Sequence, residues 1–117
     1  MNIRLFKPSL GEEELANIKD AFDRSWVGLG PNVNLFEEKW SKFTGAKASI
    51  GVNSATAALH LAISAFKFPK GKKVLLPSLT FAATGTAILY NGLIPVFVDS
   101  DPETLTMDLR DPGPKMY

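Results

Sequence analysis

Ser54, Ala55 and Thr56 open the stretch "SATAALHLA", where an apolar run gives way to a helical pattern. Residues of this kind at such a junction can do one definite piece of chemistry. A helix N-terminus presents backbone N–H groups with no intrahelical partner, and the positive end of the helix dipole points the same way, so an anion such as phosphate is attracted there. Small side chains let the anion reach the backbone, and two hydroxyls add donors. A serine at an N-cap needs no ligand, however. From this segment alone the plain cap is the sufficient account. The stretch contains neither the GxxxxGK[ST] of a P-loop nor the GxGxxG of a dinucleotide fold.

A second junction follows at "LLPSLTFAATG". Phe81, next to Thr80, stands just beyond an apolar run, where an aromatic ring can stack on a flat ligand or pack into a core. "SWVGLGP" is a third feature. Gly28, Gly30 and Pro31 break regular structure and carry Trp26 into a loop that is either a lid or a connection. His60, one turn into the helical pattern after Ser54, reads as a satisfied helix residue. Asp99 and Asp101 flank Ser100 in an Asp-x-Asp-Pro sequence, which binds something polar or forms an ordinary turn. Glu12, Glu13 and Glu14 read as a solvated helix start.

Composition removes whole classes of function. The chain has 117 residues, the size of one modest domain, and a net charge of +1, which leaves no electrostatic footprint for nucleic acid. Lys70-Gly71-Lys72-Lys73 is a solvated turn rather than a binding patch. With no cysteine and a single histidine, disulfides, thiolate metal sites and histidine metal clusters are excluded, so no metal is expected. The beginning, "MNIRLFKPSLGEEE", lacks the apolar core of a signal peptide, and no apolar run approaches the roughly 20 residues that span a bilayer. The sequence therefore predicts a cytoplasmic protein with no membrane partner.

The elements that must position these residues follow from periodicity. Ser9 and Glu12 have capping-box spacing, and Leu15, Ile18 and Phe22 give the first helix an apolar face that fades near Ser25. A second helix is expected from about Asn32, with Phe36, Trp40 and Phe43 on one side and Gly45 as its stop. "KASIGV" reads as a strand. A third helix starts at Asn53 or Ser54, burying Ala58, Leu59, Ala62, Ile63 and Phe66. "VLLP" is a buried strand. "SLTFAATGTAILYNG" is a fourth helix capped by Ser78 or Thr80, and "IPVFVD" is a last strand. The middle is thus strand–helix–strand–helix–strand, which argues for an α/β fold with a mostly parallel sheet flanked by helices. In such sheets ligands bind at the carboxyl ends of the strands, where Ser54–Thr56 and Ser78–Phe81 both fall. Three strands are few for so many apolar helix faces, which suggests the front part of something longer. An irregular tail is expected from about residue 110 to residue 117.

Read end to end, the order of motifs resembles the DegT/DnrJ/EryC1/StrS family of pyridoxal-phosphate-dependent sugar aminotransferases. The likeness runs from residue 5 to about residue 109. It is carried by "KPSLGEEELANIKDAF", by "SWVGLGP" as a Trp-x-x-x-Gly-Pro loop, by "FEEKWSKFTGAKASIGVNSATAALHLA", and by "VLLPSLTFAATGTAILYNGLIPVFVDSDPETLTMD". The resemblance implies the N-terminal portion of the aminotransferase type I large domain over residues 1–117, left incomplete. It implies pyridoxal 5'-phosphate as cofactor, with Ser54, Ala55 and Thr56 at its phosphate and Phe81 stacked on its pyridine ring. It places Trp26, Gly28, Gly30 and Pro31 in a loop near the active site at a homodimer interface. The implied substrates are glutamate and a keto-sugar nucleotide.

Two departures qualify what is carried over. Ala55 stands where the family usually has glycine. If the site needs an unusual φ, fit is lost; if it needs only a small residue, alanine serves. The family's chemistry also needs a Schiff-base lysine and an acidic partner for the pyridinium nitrogen. None of Lys7, Lys19, Lys39, Lys42, Lys47, Lys67, Lys70, Lys72, Lys73 and Lys115 sits in the family's lysine motif. No catalytic residue is therefore assigned, and the 117 residues alone are expected to be inactive. A non-catalytic domain that keeps only the cofactor-phosphate site is the alternative reading.

Overall fold

The computed structural model describes residues 6–108 and Arg110. The expected tail, Lys115 included, lies outside the described residues except for Arg110. The chain divides after Gly51 into two compact units.

The first unit holds two helices, α1 (Glu12–Asp23) and α2 (Pro31–Thr44). The first helix begins two residues later than a Ser9 cap predicts. Its N-cap is Gly11, and the Glu14 carboxylate accepts from the Gly11 N–H at 2.6 Å. The capping spacing is that expected of Ser9 and Glu12, shifted by two. Only the reciprocal half of the box forms, because glycine has no side chain to return the bond. Glu12, Glu13 and Glu14 occupy the first turn, where the dipole favours negative charge. At the other end Ser25 takes a left-handed φ of 53°. The Ser25 N–H donates to the Phe22 carbonyl at 2.8 Å and the Trp26 N–H to the Ala21 carbonyl at 3.0 Å. This pair of bonds is a Schellman closure with serine in the place glycine usually takes.

Helix α2 starts on Pro31, whose missing N–H costs nothing in the first turn, and stops at Gly45 with φ 73°. Phe36, Trp40 and Phe43 share a face as expected, with successive ring centroids 6.1 and 6.0 Å apart, and all three are exposed. "KASIGV" is not a strand. The segment is tethered to α2 by side chains: Ser41 Oγ meets Ser49 Oγ at 2.8 Å, and Glu37 Oε1 accepts from the Gly51 N–H at 2.7 Å. A strand is defined by a neighbouring ladder, and no described strand runs beside it.

The second unit contains α3 (Ala55–Ala65), β1 (Lys73–Pro77), α4 (Ala82–Tyr90) and β2 (Ile94–Val98). The strands pair in parallel with Leu75 opposite Val96, and α4 is the crossover between them. Among the described residues two strands form, not three, and the parallel pairing is the one expected. Leu76, Ile88 and Leu93 make the core, and Ile63 and Val74 pack against it. Burying each such side chain contributes roughly 1.5–3 kcal/mol. Asn91 ties the helices together: its Nδ2 donates to the Ala87 carbonyl at 2.8 Å and to the His60 carbonyl at 3.2 Å.

The buried side of α3 differs from expectation. Ile63 is partly covered, with Thr56, Ala57 and His60 at helical spacing, while Ala58, Leu59, Ala62 and Phe66 are exposed. The helix is apolar on more than one side, so periodicity alone does not choose. The choice falls to the face that meets α4. Helix α4 is capped by the Phe81 backbone rather than by a Ser78 or Thr80 side chain; the Thr80 hydroxyl instead meets the Thr84 hydroxyl at 2.9 Å.

Candidate functional site

Ser54 is the N-cap of α3, with an extended backbone at φ −162° and ψ 156°. Its Oγ accepts from the Ala57 N–H at 3.2 Å, and its carbonyl accepts from the Ala58 N–H at 3.1 Å. The cap thus satisfies the third donor of the helix. The N–H groups of Ala55 and Thr56, the first two helical residues, have no partner among the described residues. The first turn carries no acidic residue, so the dipole end is not neutralised. The Ser54 hydroxyl makes one further contact, 3.3 Å to Asn53 Oδ1.

Ala55 is a helical residue, and the only non-glycine residues with positive φ among those described are Ser25, Lys67 and Leu105. The position does not ask for a left-handed backbone, so alanine costs no backbone strain here.

Phe81 belongs to the same unit. It sits at the head of α4 with 79% of its surface exposed. The core reading of this ring is ruled out within the described residues. Its carbonyl accepts from the Thr84 N–H at 3.0 Å, which fixes the backbone from which the ring projects. The strand end before it is stitched to β2: the Ser78 N–H donates to the Val98 carbonyl at 2.9 Å and the Leu79 N–H to Ser100 Oγ at 3.3 Å. Sequence reading missed Ser100 as a participant, because a serine inside an Asp-x-Asp-Pro turn carries no local signal of what it touches across 21 residues.

Asp101 takes the turn role. Its Oδ1 accepts from the Glu103 and Thr104 N–H groups at 2.9 and 3.0 Å, and its Oδ2 accepts from Arg110 at 2.6 Å. The Asp108 carboxyl is held below the usual aspartate range, first by the Arg110 guanidinium bonded to it and then by the Arg110 N–H; the same pairing raises the pKa of Arg110. His60 packs edge-on to Tyr90 with centroids 5.7 Å apart, as a structural helix residue does. Among the described residues no group of three or more histidines or carboxylates could hold a metal ion. No helix there is long and apolar enough to cross a membrane.

The Trp26 loop belongs to the first unit. The Schellman closure of α1 delivers Trp26, and its Nε1 donates to the Leu29 carbonyl at 2.7 Å. The indole lies so close over Gly30 that a Cβ there would come within 1.7 Å of Nε1. Gly30 is thus demanded by close approach, whereas Gly28 has open space around it. Arg24 Nη2 donates to Asn32 Oδ1 at 2.9 Å and so links the two ends of the loop, while Pro31 begins α2.

A parallel β–α–β crossover beside a helix whose first N–H groups have no partner among the described residues, with an exposed aromatic at the head of the next helix, defines an α/β protein. The family model of the DegT/DnrJ/EryC1/StrS aminotransferase family matches residues 8–111, and the chain belongs to that family. Over 101 residues, 86% of this chain, it is 40% identical to the spore coat polysaccharide biosynthesis protein SpsC of Bacillus subtilis (strain 168), of which it covers 26%. It is also 40% identical over 111 residues to the dTDP-4-dehydro-2,3,6-trideoxy-D-glucose 4-aminotransferase of Saccharopolyspora spinosa, with coverages of 93% and 29%. Among solved structures, the GDP-4-keto-6-deoxy-D-mannose-3-dehydratase of E coli with bound hydrated PLP superposes with a TM-score of 0.86 at 26% identity, over 93% of this chain and 30% of that one. The fold is the N-terminal α/β portion of the aminotransferase fold, and the family is one of pyridoxal-phosphate-dependent aminotransferases. The chain spans between a quarter and a third of the length of these relatives.

Proposed function

We propose that these residues form the cofactor-phosphate end of a pyridoxal-phosphate-dependent aminotransferase that passes an amino group from glutamate to a keto-sugar nucleotide. The observation that carries the reading is the head of α3, where Ala55 and Thr56 offer N–H groups with no partner among the described residues, behind a serine cap and with no acid in the turn. These features fit a phosphate dianion. Ala55 and Thr56 donate from the backbone, and the Ser54 and Thr56 hydroxyls add charge-assisted hydrogen bonds. Phe81, exposed at the head of α4, supplies a ring face for the pyridine. The bound cofactor supplies the electron sink for amino-group chemistry. The residues of this chain bind and orient it; none is assigned a proton-transfer role.

In this reading residues 1–117 are part of the large domain. The protein works in the cytoplasm as a homodimer, with Trp26, Gly28, Gly30 and Pro31 lining the site at the dimer interface. The 117 residues by themselves hold cofactor phosphate without turnover. The test is titration of the chain with pyridoxal phosphate, followed by fluorescence. Ser54→Ala combined with Thr56→Val is expected to weaken binding about tenfold or more, the loss of one to two charge-assisted hydrogen bonds. Equal affinity of parent and variant overturns the site. Equal affinity for inorganic phosphate and pyridoxal phosphate leaves only an anion-binding domain. Turnover of glutamate with a keto-sugar nucleotide by the 117 residues alone contradicts the absence of a catalytic group.

A further inference from the structure

We infer that Ser100 is a positioning residue for Phe81, an inference that rests on the cofactor reading above. Phe81 projects from the turn that joins β1 to α4. One end of that turn is held by α4 itself, through the Thr84 N–H on the Phe81 carbonyl at 3.0 Å. The other end is held across the sheet. The Ser78 N–H continues the β1–β2 ladder onto the Val98 carbonyl at 2.9 Å, and the next N–H, that of Leu79, has left the ladder and is caught by Ser100 Oγ at 3.3 Å. Only Thr80 separates this bond from Phe81. Without Ser100 the Leu79 amide has no described protein acceptor, and the chain between the end of the ladder and the first turn of α4 is free to hinge.

Ser100 is itself braced. Its N–H donates to Asp99 Oδ1 at 2.8 Å, and it forms an antiparallel bridge with Met107. The bridge is flanked by the Asp101 N–H on the Thr106 carbonyl and the Asp108 N–H on the Asp99 carbonyl, both at 2.9 Å. Arg110 then clamps Asp101 and Asp108. The segment from Asp99 to Asp108 is therefore a small closed loop, clamped by Arg110, whose half-buried serine hydroxyl holds the Phe81 turn, in addition to the turn-forming role of its aspartates.

Two measurements on the full chain test the inference, one without cofactor. In the cofactor-free protein, Ser100→Ala should raise the hydrogen-exchange rate of the Leu79 amide about fivefold, as expected for losing a single hydrogen bond. Ser100→Thr, which keeps the hydroxyl, should restore the parent rate. An unchanged Leu79 rate in Ser100→Ala overturns the inference. In the second measurement, pyridoxal phosphate is titrated into the parent, Ser100→Ala, Phe81→Leu and the double variant. If Ser100 acts through Phe81, Ser100→Ala weakens binding in the parent background and adds nothing once the ring is gone. An equal loss in both backgrounds means a general structural role and overturns the inference. If the parent binds no pyridoxal phosphate at all, the cofactor reading falls, and the role of Ser100 toward the cofactor falls with it. The exchange measurement then still decides whether Ser100 holds the turn.

Discussion

The two units of this chain are both rich in large apolar side chains, and among the described residues only one of them buries any. In residues 6–51 no residue is buried: Leu15, Ile18 and Phe22 on α1 and Phe36, Trp40 and Phe43 on α2 are all at least half exposed. In the unit from Val52 onward, seven hydrophobic residues between Leu76 and Val98 are buried. A parallel β–α–β crossover closes a core from consecutive pieces of chain, because the helix between the strands is returned to one face of the sheet. Two helices carry no such built-in partner. Their aromatic stripes form from local sequence and bury only what is brought to them.

The contrast predicts unequal responses to substitution. Leu76→Ala, at 2% exposure in the core of the second unit, should destabilise by about 2–5 kcal/mol in denaturant unfolding. Phe43→Ala, at 84% exposure in the first, should stay within about 0.5 kcal/mol. A comparable loss at Phe43 would erase the distinction between the units. Gly30→Ala comes next. The added Cβ meets the indole at 1.7 Å, so Trp26 must swing away and lose its bond to Leu29. In a Trp40→Phe background this should redshift Trp26 fluorescence and cost about 1–3 kcal/mol. An unshifted spectrum means that the indole is not seated on Gly30.

Caps are expected to matter less, and similarly in both units. Ser54→Ala should cost about 1 kcal/mol of stability through the lost cap on the Ala57 N–H. Ser25→Gly should stabilise by up to about 1 kcal/mol, because serine holds a left-handed φ of 53° that glycine adopts freely. Thermal unfolding reads both, and a destabilised Ser25→Gly would show that the serine side chain matters more than its backbone. The smallest effect is acidic. The folded-state pKa of Asp108 is depressed by Arg110, so its contribution is present above the ordinary aspartate pKa and fades as pH falls through the folded value. The Arg110 side chain is exposed, so solvent screens the pair and the effect on stability is slight. NMR titration should place the Asp108 midpoint below that of a free aspartate, and Arg110→Ala should return it upward.

Much of this architecture was legible in the sequence. Helix ends followed from Gly45, Ser54 and Asn91-Gly92, since each acts through its own backbone or the turn beside it, while α2 starts one residue before the expected Asn32. The parallel pairing of β1 and β2 followed from strand–helix–strand order. What failed to read through depended on neighbours. "KASIGV" has strand composition but meets the side chains of α2 rather than a ladder, and the capping pair is Gly11 with Glu14 instead of Ser9 with Glu12. The hydroxyls at the head of α3 and the aromatic at the head of α4 were singled out from residue type and order. Ser100, by contrast, is tied to Leu79 from 21 residues away, and nothing in its local sequence marks that contact.

The sequence by itself determined that the helices exist and in what order, which family the chain belongs to, and that small and hydroxylated residues stand at the head of α3. These are matters of local backbone chemistry and motif order. The structure decided that Ala55 has a helical and not a left-handed backbone, that α3 turns Ile63 rather than Phe66 toward the core, and that Phe81 projects instead of packing. The last two outcomes depend on which surface a residue meets, and a surface is made by segments distant in sequence.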